Sequence, residues 1–232
     1  MNISEQVAFV TGANRGFGRQ LTLELLSRGA KVYAAARNPE TIDIPGVIPV
    51  KLDITNPQEV AAAARVAEDV TLLINNAGSA TGASLLEGDV EKIQLEFDTH
   101  FFGTLSMVRS FAPIIEKNGG GSILNILSAL SWFSSGTAGA YTAAKAAAWA
   151  LTNDLRLNLY PHNVRVAGLH VGFMETDMTS GLDAPKSNPS DIAKIAIDGI
   201  ESGSFEILAD DTSRMIQGGL AGGVPALYPH LS

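Results

Sequence analysis

Short, β-branched apolar runs alternate with longer alanine- and leucine-rich segments along this chain, and that alternation constrains its fold more than any other feature. Strands are predicted at 7–11, 31–36, 48–52, 72–75, 121–127, 164–170 and 205–208. Helices are predicted at 16–28, 57–67, 89–116, 141–159 and 189–201. Strands that are apolar on both faces must be covered on both faces, and strands separated by helices pair in parallel. Right-handed crossovers then wind the helices onto opposite sides. The expectation is an α/β fold: one doubly wound domain over residues 1–232, mainly a seven-stranded parallel sheet with helices on both faces. No internal repeat or linker divides it. The segment 218–232, GGLAGGVPALYPHLS, has no clear periodicity and reads as a loosely packed tail.

Composition narrows the function classes. Hydrophobic residues make up 46% of the chain and charged residues 17%, enough apolar material for a sizeable core. The net charge is −8 and no stripe of Lys and Arg forms, which argues against nucleic acid as a partner. No apolar run approaches the roughly 20 residues needed to span a bilayer, so no membrane association is expected. The absence of cysteine excludes disulfides and thiol chemistry, and four scattered His without a zinc-site spacing predict no metal. The N-terminus shows no basic segment followed by an apolar signal core, and a cytoplasmic location is expected.

VAFVTGANRGFG runs from the first strand into the first helix, with Gly12, Gly16 and Gly18 spaced GxxxGxG. Glycines here permit a tight turn and close backbone approach, while the helix N-terminus offers unpaired N–H groups to a pyrophosphate. An NAD site usually carries an acid about 20 residues on, bonded to the ribose 2′-hydroxyl. The second strand instead ends in Ala36 and Arg37, and Arg15 sits inside the turn. A guanidinium pairs with a 2′-phosphate that a carboxylate would repel. The cofactor predicted is NADP(H).

The ordered set TGANRGFG, LDIT, NNAG at 75–78, NILSALS, YTAAK and HVGFMETDM resembles the short-chain dehydrogenase/reductase family over nearly the whole length. The resemblance implies a compact Rossmann-like domain with Ser128, Tyr141 and Lys145 as catalytic residues. It implies cofactor contacts from Gly12, Asn14, Arg15, Gly16, Phe17, Gly18, Arg37, Asp53, Ile54, Asn76, Ala77, Gly78, Gly172, Met174 and Thr176, with Tyr141 and Lys145 also touching the cofactor. Asp53 would meet the adenine edge, although in DITNP it also reads as a turn cap. Val171-Gly172 stands where the family usually has Pro-Gly.

Tyr141 and Lys145 lie four apart on one helix face. A lysine charge at ~5 Å with an effective dielectric of ~20 is worth roughly 3 kcal/mol, or about two pKa units on the phenol. Tyr141 could then exchange a proton with a substrate oxygen that Ser128 holds. The substrate-pocket wall is read in Leu130, Trp132 and Phe133, with Phe173, Met174 and Met178, a plain core role being the competing reading for Trp132 and Phe133. All are large and apolar, implying a small apolar or aromatic carbonyl compound or alcohol as partner. The segment 175–189 reads as a mobile lid. Pairing of the helices at 89–116 and 141–159, as in the family, predicts a homo-dimer or homo-tetramer. The competing reading is a catalytically silent NADP(H)-binding sensor or scaffold of the same fold. One departure is plain: His100, in FDTHFFGTL, stands where the family carries a fourth catalytic residue, an asparagine at a helix kink that holds a water near the lysine. Its imidazole replaces that group, fills space, or impairs catalysis; the expectation is that His100 takes part.

Overall fold

The structure is a computed structural model that describes residues 1–231. Seven strands form one all-parallel sheet, ordered β3-β2-β1-β4-β5-β6-β7. They are β1 (Val7–Thr11), β2 (Lys31–Ala36), β3 (Ile48–Lys51), β4 (Leu72–Asn75), β5 (Gly121–Ile126), β6 (Val164–His170) and β7 (Glu206–Leu208). The order reverses between β1 and β4, where a doubly wound sheet opens a crevice at its C-terminal edge.

Side-chain alternation along each strand divides the core in two. From β1, Ala8 and Val10 face α1 (Gly16–Ser27) and α6 (Pro189–Ser202), joining Leu21, Leu25, Ile192 and Ile197. Phe9 turns the other way toward α2 (Pro57–Val66) and α4 (Thr104–Lys117), and its ring lies 4.7 Å from that of Phe111. The doubly wound fold expected from the alternation is therefore the fold observed.

Two segments differ from expectation. The single helix expected at 89–116 is α3 (Val90–Phe97), a π-helical turn Asp98–Gly103, and α4. A Cβ at Gly103 would stand 2.9 Å from Ile54 Cδ1 and 3.1 Å from the Asp98 carbonyl. Glycine is what lets the widened turn close against the strand-end loop. At the other end, α7 (Asp211–Gly219) and α8 (Gly223–Leu227) follow β7. Asp210 caps α7 in a reciprocal capping box with Ser213, the signal in DDTS by which this helix could have been read. The tail beyond is exposed along most of its length but helical, and Tyr228 ties it down. Its ring stacks on Phe133 at 5.1 Å and its hydroxyl accepts from Ser134 N–H at 2.9 Å. No described helix is long and apolar enough to cross a membrane.

Candidate active site

The crevice is built from the turn after β1, the ends of β4, β5 and β6, and α5 (Gly139–Leu159). Gly12 and Gly16 adopt φ of +65° and +54°, conformations that L side chains rarely adopt. A Cβ on Gly18 would stand 2.2 Å from the Gly12 carbonyl and 2.4 Å from Asn76 Nδ2, so helix and turn touch only because it is glycine. No side chain caps the α1 N-terminus, leaving its first N–H groups open toward the crevice. This open, glycine-lined turn fits a pyrophosphate.

Around the turn, Asn14 reaches Thr41 Oγ1 at 2.9 Å, and Phe17 is buried in the core below. Asn76 Nδ2 donates to the carbonyls of Thr11 and Gly12, fastening the end of β4 to the turn, with Ala77 N–H on Thr11 Oγ1. Thr176 lies beside Gly16, its Cγ2 3.7 Å from where a Cβ on Gly16 would be. Arg37 is exposed at the end of β2 and has no partner among the described residues, free to meet an anion. Arg15 is not free: it pairs with Asp177 at 3.1 Å, both exposed. Asp53 Oδ1 accepts from Thr55 N–H and Oγ1, the turn-cap role, while Ile54 is buried behind it.

Ser128 ends the run after β5, its Oγ accepting from Leu130 N–H at 3.1 Å. Two turns of α5 bring Tyr141 and Lys145 beside it. Lys145 donates to the Ile126 carbonyl at 2.7 Å, and its Nζ stands 5.6 Å from the Tyr141 ring centroid. The expected drop of the phenol's pKa is reversed here. Burial pushes Tyr141 up to about 12, although the Ser128 hydroxyl works downward. The same burial brings Lys145 down to about 8, against the opposing pull of Glu96. The lysine is engaged by a carbonyl and by the ring face, not by the phenol oxygen, so desolvation outweighs its charge.

His100 lies in the π turn and is 3% exposed. Its ring stands edge-on to Tyr141 at 5.2 Å. Burial first, and then the Lys145 charge, hold it below 6.5. Ser128, Tyr141, Lys145 and His100 thus converge, with Gly78 packed against the imidazole.

The pocket wall is split. Phe173 and Met178 are 40% and 52% exposed and available to a ligand, with Leu130 and Met174 partly buried between. Trp132 turns inward instead, stacking on His170 at 3.6 Å and edge-on to Trp149 at 5.9 Å, and Phe133 is covered by Tyr228. The loop beyond Phe173 is closed at its base by paired backbone bonds, Glu175 N–H to Ser187 O and Ser187 N–H to Phe173 O. Gly172 N–H donates to Asp210 Oδ2 at 2.7 Å, anchoring the loop start without the family's proline.

Two residues were missed by sequence reasoning. His170, completely buried at the end of β6, bonds the Ser128 carbonyl through Nδ1 at 3.2 Å. Its Nε2 stands 2.9 Å from Glu206, which burial pushes up but contacts with His170 and Arg156 bring below its ordinary value. Glu96, also completely buried, lies one helical turn before His100; its spacing ExxxH was the available signal.

The sequence pattern described as short chain dehydrogenase matches residues 6–187. A crystal structure of a short chain dehydrogenase from Burkholderia cenocepacia, in complex with NADP, is 40% identical with a TM-score of 0.95, covering 100% of this chain and 99% of its own. An uncharacterised oxidoreductase of Staphylococcus aureus is 28% identical over 84% of this chain and 90% of its own length. The NADPH-dependent 1-acyldihydroxyacetone phosphate reductase of Schizosaccharomyces pombe is 31% identical over 76% of this chain and 62% of its own.

Proposed function

Since the chain belongs to the short-chain dehydrogenase/reductase family of oxidoreductases, we propose that it is an NADP(H)-dependent enzyme interconverting a small apolar or aromatic carbonyl compound and its alcohol. The observation that carries this reading is the convergence of Ser128, Tyr141 and Lys145 beside an open glycine turn. NADP(H), when bound, supplies or accepts the hydride. The open α1 N-terminus would hold its pyrophosphate and Arg37 its 2′-phosphate.

The chain's own residues do the rest. Ser128 Oγ holds the carbonyl oxygen, and Phe173 and Met178 offer apolar surface to the substrate's flank. Tyr141, held protonated by burial, enters carbonyl reduction as the acid and gives its proton to that oxygen. Lys145, fixed by the Ile126 carbonyl, keeps a positive charge under the phenol as it becomes phenolate. His100 lies against the phenol and takes part in restoring its proton. Turnover should then carry an inflection below pH 6.5, where imidazole charges, that His100→Asn removes. Superimposable pH–rate profiles would leave His100 a packing role.

Incubation with NADPH and a panel of aromatic and aliphatic ketones, followed by loss of NADPH absorbance, tests the whole reading. Cofactor binding without consumption across the panel would favour the silent scaffold. Assembly follows the same reading. Ala143, Ala146, Ala147 and Ala150 on α5 keep part of their surface uncovered, as does Phe102 beside α4, a face open to a second copy. Sedimentation as a dimer or tetramer is expected, and a monomer at micromolar concentration would refute it.

A further inference from the structure

The mechanism above leaves one buried acid beside the catalytic cluster without a role. Glu96 on α3 is 0% exposed. A carboxylate sealed from water is tolerated only where several donors replace the solvent. Its Oε2 accepts from Ser79 Oγ at 2.7 Å, its Oε1 from Thr81 N–H at 2.5 Å, and Oε2 stands 3.3 Å from His100 Nε2. Burial acts to raise its pKa, yet these contacts hold it at about 2, so the group is an anion.

The surroundings of the imidazole then fix its proton. Nε2 faces the Ser79 carbonyl at 2.9 Å, the Glu96 carboxylate at 3.3 Å and the Ser79 N–H at 3.4 Å. Two acceptors, the nearer pair and one of them charged, face a single distant donor. The neutral ring therefore carries its hydrogen on Nε2, which leaves Nδ1 as the acceptor. Gly78 closes the box: a Cβ there would stand 2.8 Å from His100 Cε1. The charged and titratable groups facing the ring are Glu96 from the last turn of α3 and Tyr141 and Lys145 from α5.

We propose that Glu96 is a positioning residue of the active site. Its carboxylate clamps the Ser79–Thr81 loop and fixes the Nε2–H tautomer of His100, setting the imidazole edge-on against Tyr141 with Nδ1 free to accept a proton. The kinetic half of this rests on the proposed reaction; the tautomer does not.

The test is imidazole nitrogen NMR on the ¹⁵N-labelled full chain, with His100→Asn identifying the signals. The unmodified protein should show a protonated Nε2 and a bare Nδ1 for His100 at neutral pH. Glu96→Gln keeps the shape and the acceptor for Thr81, but its amide can donate to Nε2. The Nδ1–H form should become populated against the Ser79 carbonyl that still accepts from Nε2, kcat should fall about tenfold with the NADPH dissociation constant unchanged, and the acid-side inflection should move to lower pH, because the anion that favours imidazolium is gone. Ser79→Ala retains the charge and should keep the original tautomer. An Nδ1–H or doubly protonated ring in the unmodified protein overturns the proposal without any variant. So does a Glu96→Gln protein with unchanged tautomer, or with the Nδ1–H form populated and an unaltered pH–rate profile. A protein inactive on every carbonyl tested, yet with the tautomer as stated, would defeat the reductase reading and leave the assignment of Glu96 to His100 standing.

Discussion

The glycine turn and the π-turn cluster are the two halves of one crevice, and they are specified in different ways. In the turn, the proposed cofactor site rests on backbone: Gly12 and Gly16 at positive φ, Gly18 against the Gly12 carbonyl, an uncapped helix end. Residues 12–18 suffice to describe it. Around Tyr141, the proposed chemistry rests on side chains from separate parts of the chain: Glu96 and His100 from the broken helix, Ser79 and Thr81 from the loop after β4, Lys145 from α5. The first half depends most on its glycines, because a Cβ at Gly18 would meet backbone. The second depends on how several elements are docked, and burial there reverses what pairwise charge would predict for Tyr141.

Breaking the first half should have the largest effect. Gly18→Ala forces a Cβ to 2.2 Å from a backbone carbonyl that no rotamer change can relieve. A stability loss of ~3 kcal/mol or more is expected by denaturant titration, together with loss of cofactor binding. Near-native stability would mean that the turn flexes more than its contacts indicate.

Breaking the second half should cost chemistry rather than folding. Tyr141→Phe removes the transferable proton and keeps the ring packed on His100. Turnover should fall at least ~10²-fold with NADPH affinity nearly unchanged. Retained activity would place the proton elsewhere. Arg37→Asp probes the first half again, by charge instead of shape, and should shift preference from NADPH toward NADH by ~10-fold or more in the ratio of dissociation constants. Equal constants for both cofactors in the unmodified protein would defeat the NADP assignment.

A pH series sharpens the contrast at smaller scale. Burial brings Lys145 down to about 8, and its charged form lies below that value. Carbonyl reduction measured as kcat/KM should therefore hold through neutrality and decline as pH rises through about 8, while cofactor capture by the backbone turn changes little. A flat profile to pH well above 8 would show that the lysine charge is not needed. The smallest effect belongs to Tyr228→Ala, which uncovers Phe133 and frees Ser134 N–H for a loss of ~1 kcal/mol. No change would leave the tail a passenger.

The sequence by itself determined the strand order's raw material and the turn. Both are local: an apolar run that is a strand needs no partner to be recognised, and GANRGFG states a backbone geometry in residue types. The candidates Ser128, Tyr141 and Lys145 could be picked out for the same reason, as short motifs on single elements, and the fold brings them together. Tertiary structure decided what could not be local. It split 89–116 with a π turn at Asp98–Gly103, where the missing side chain of Gly103 leaves room for Ile54. It turned Trp132 away from the pocket onto His170, paired Arg15 with Asp177, and buried Glu96 beside His100. It also set the protonation of Tyr141 and Lys145, because desolvation depends on everything packed around a group, and a chain read residue by residue holds no record of that.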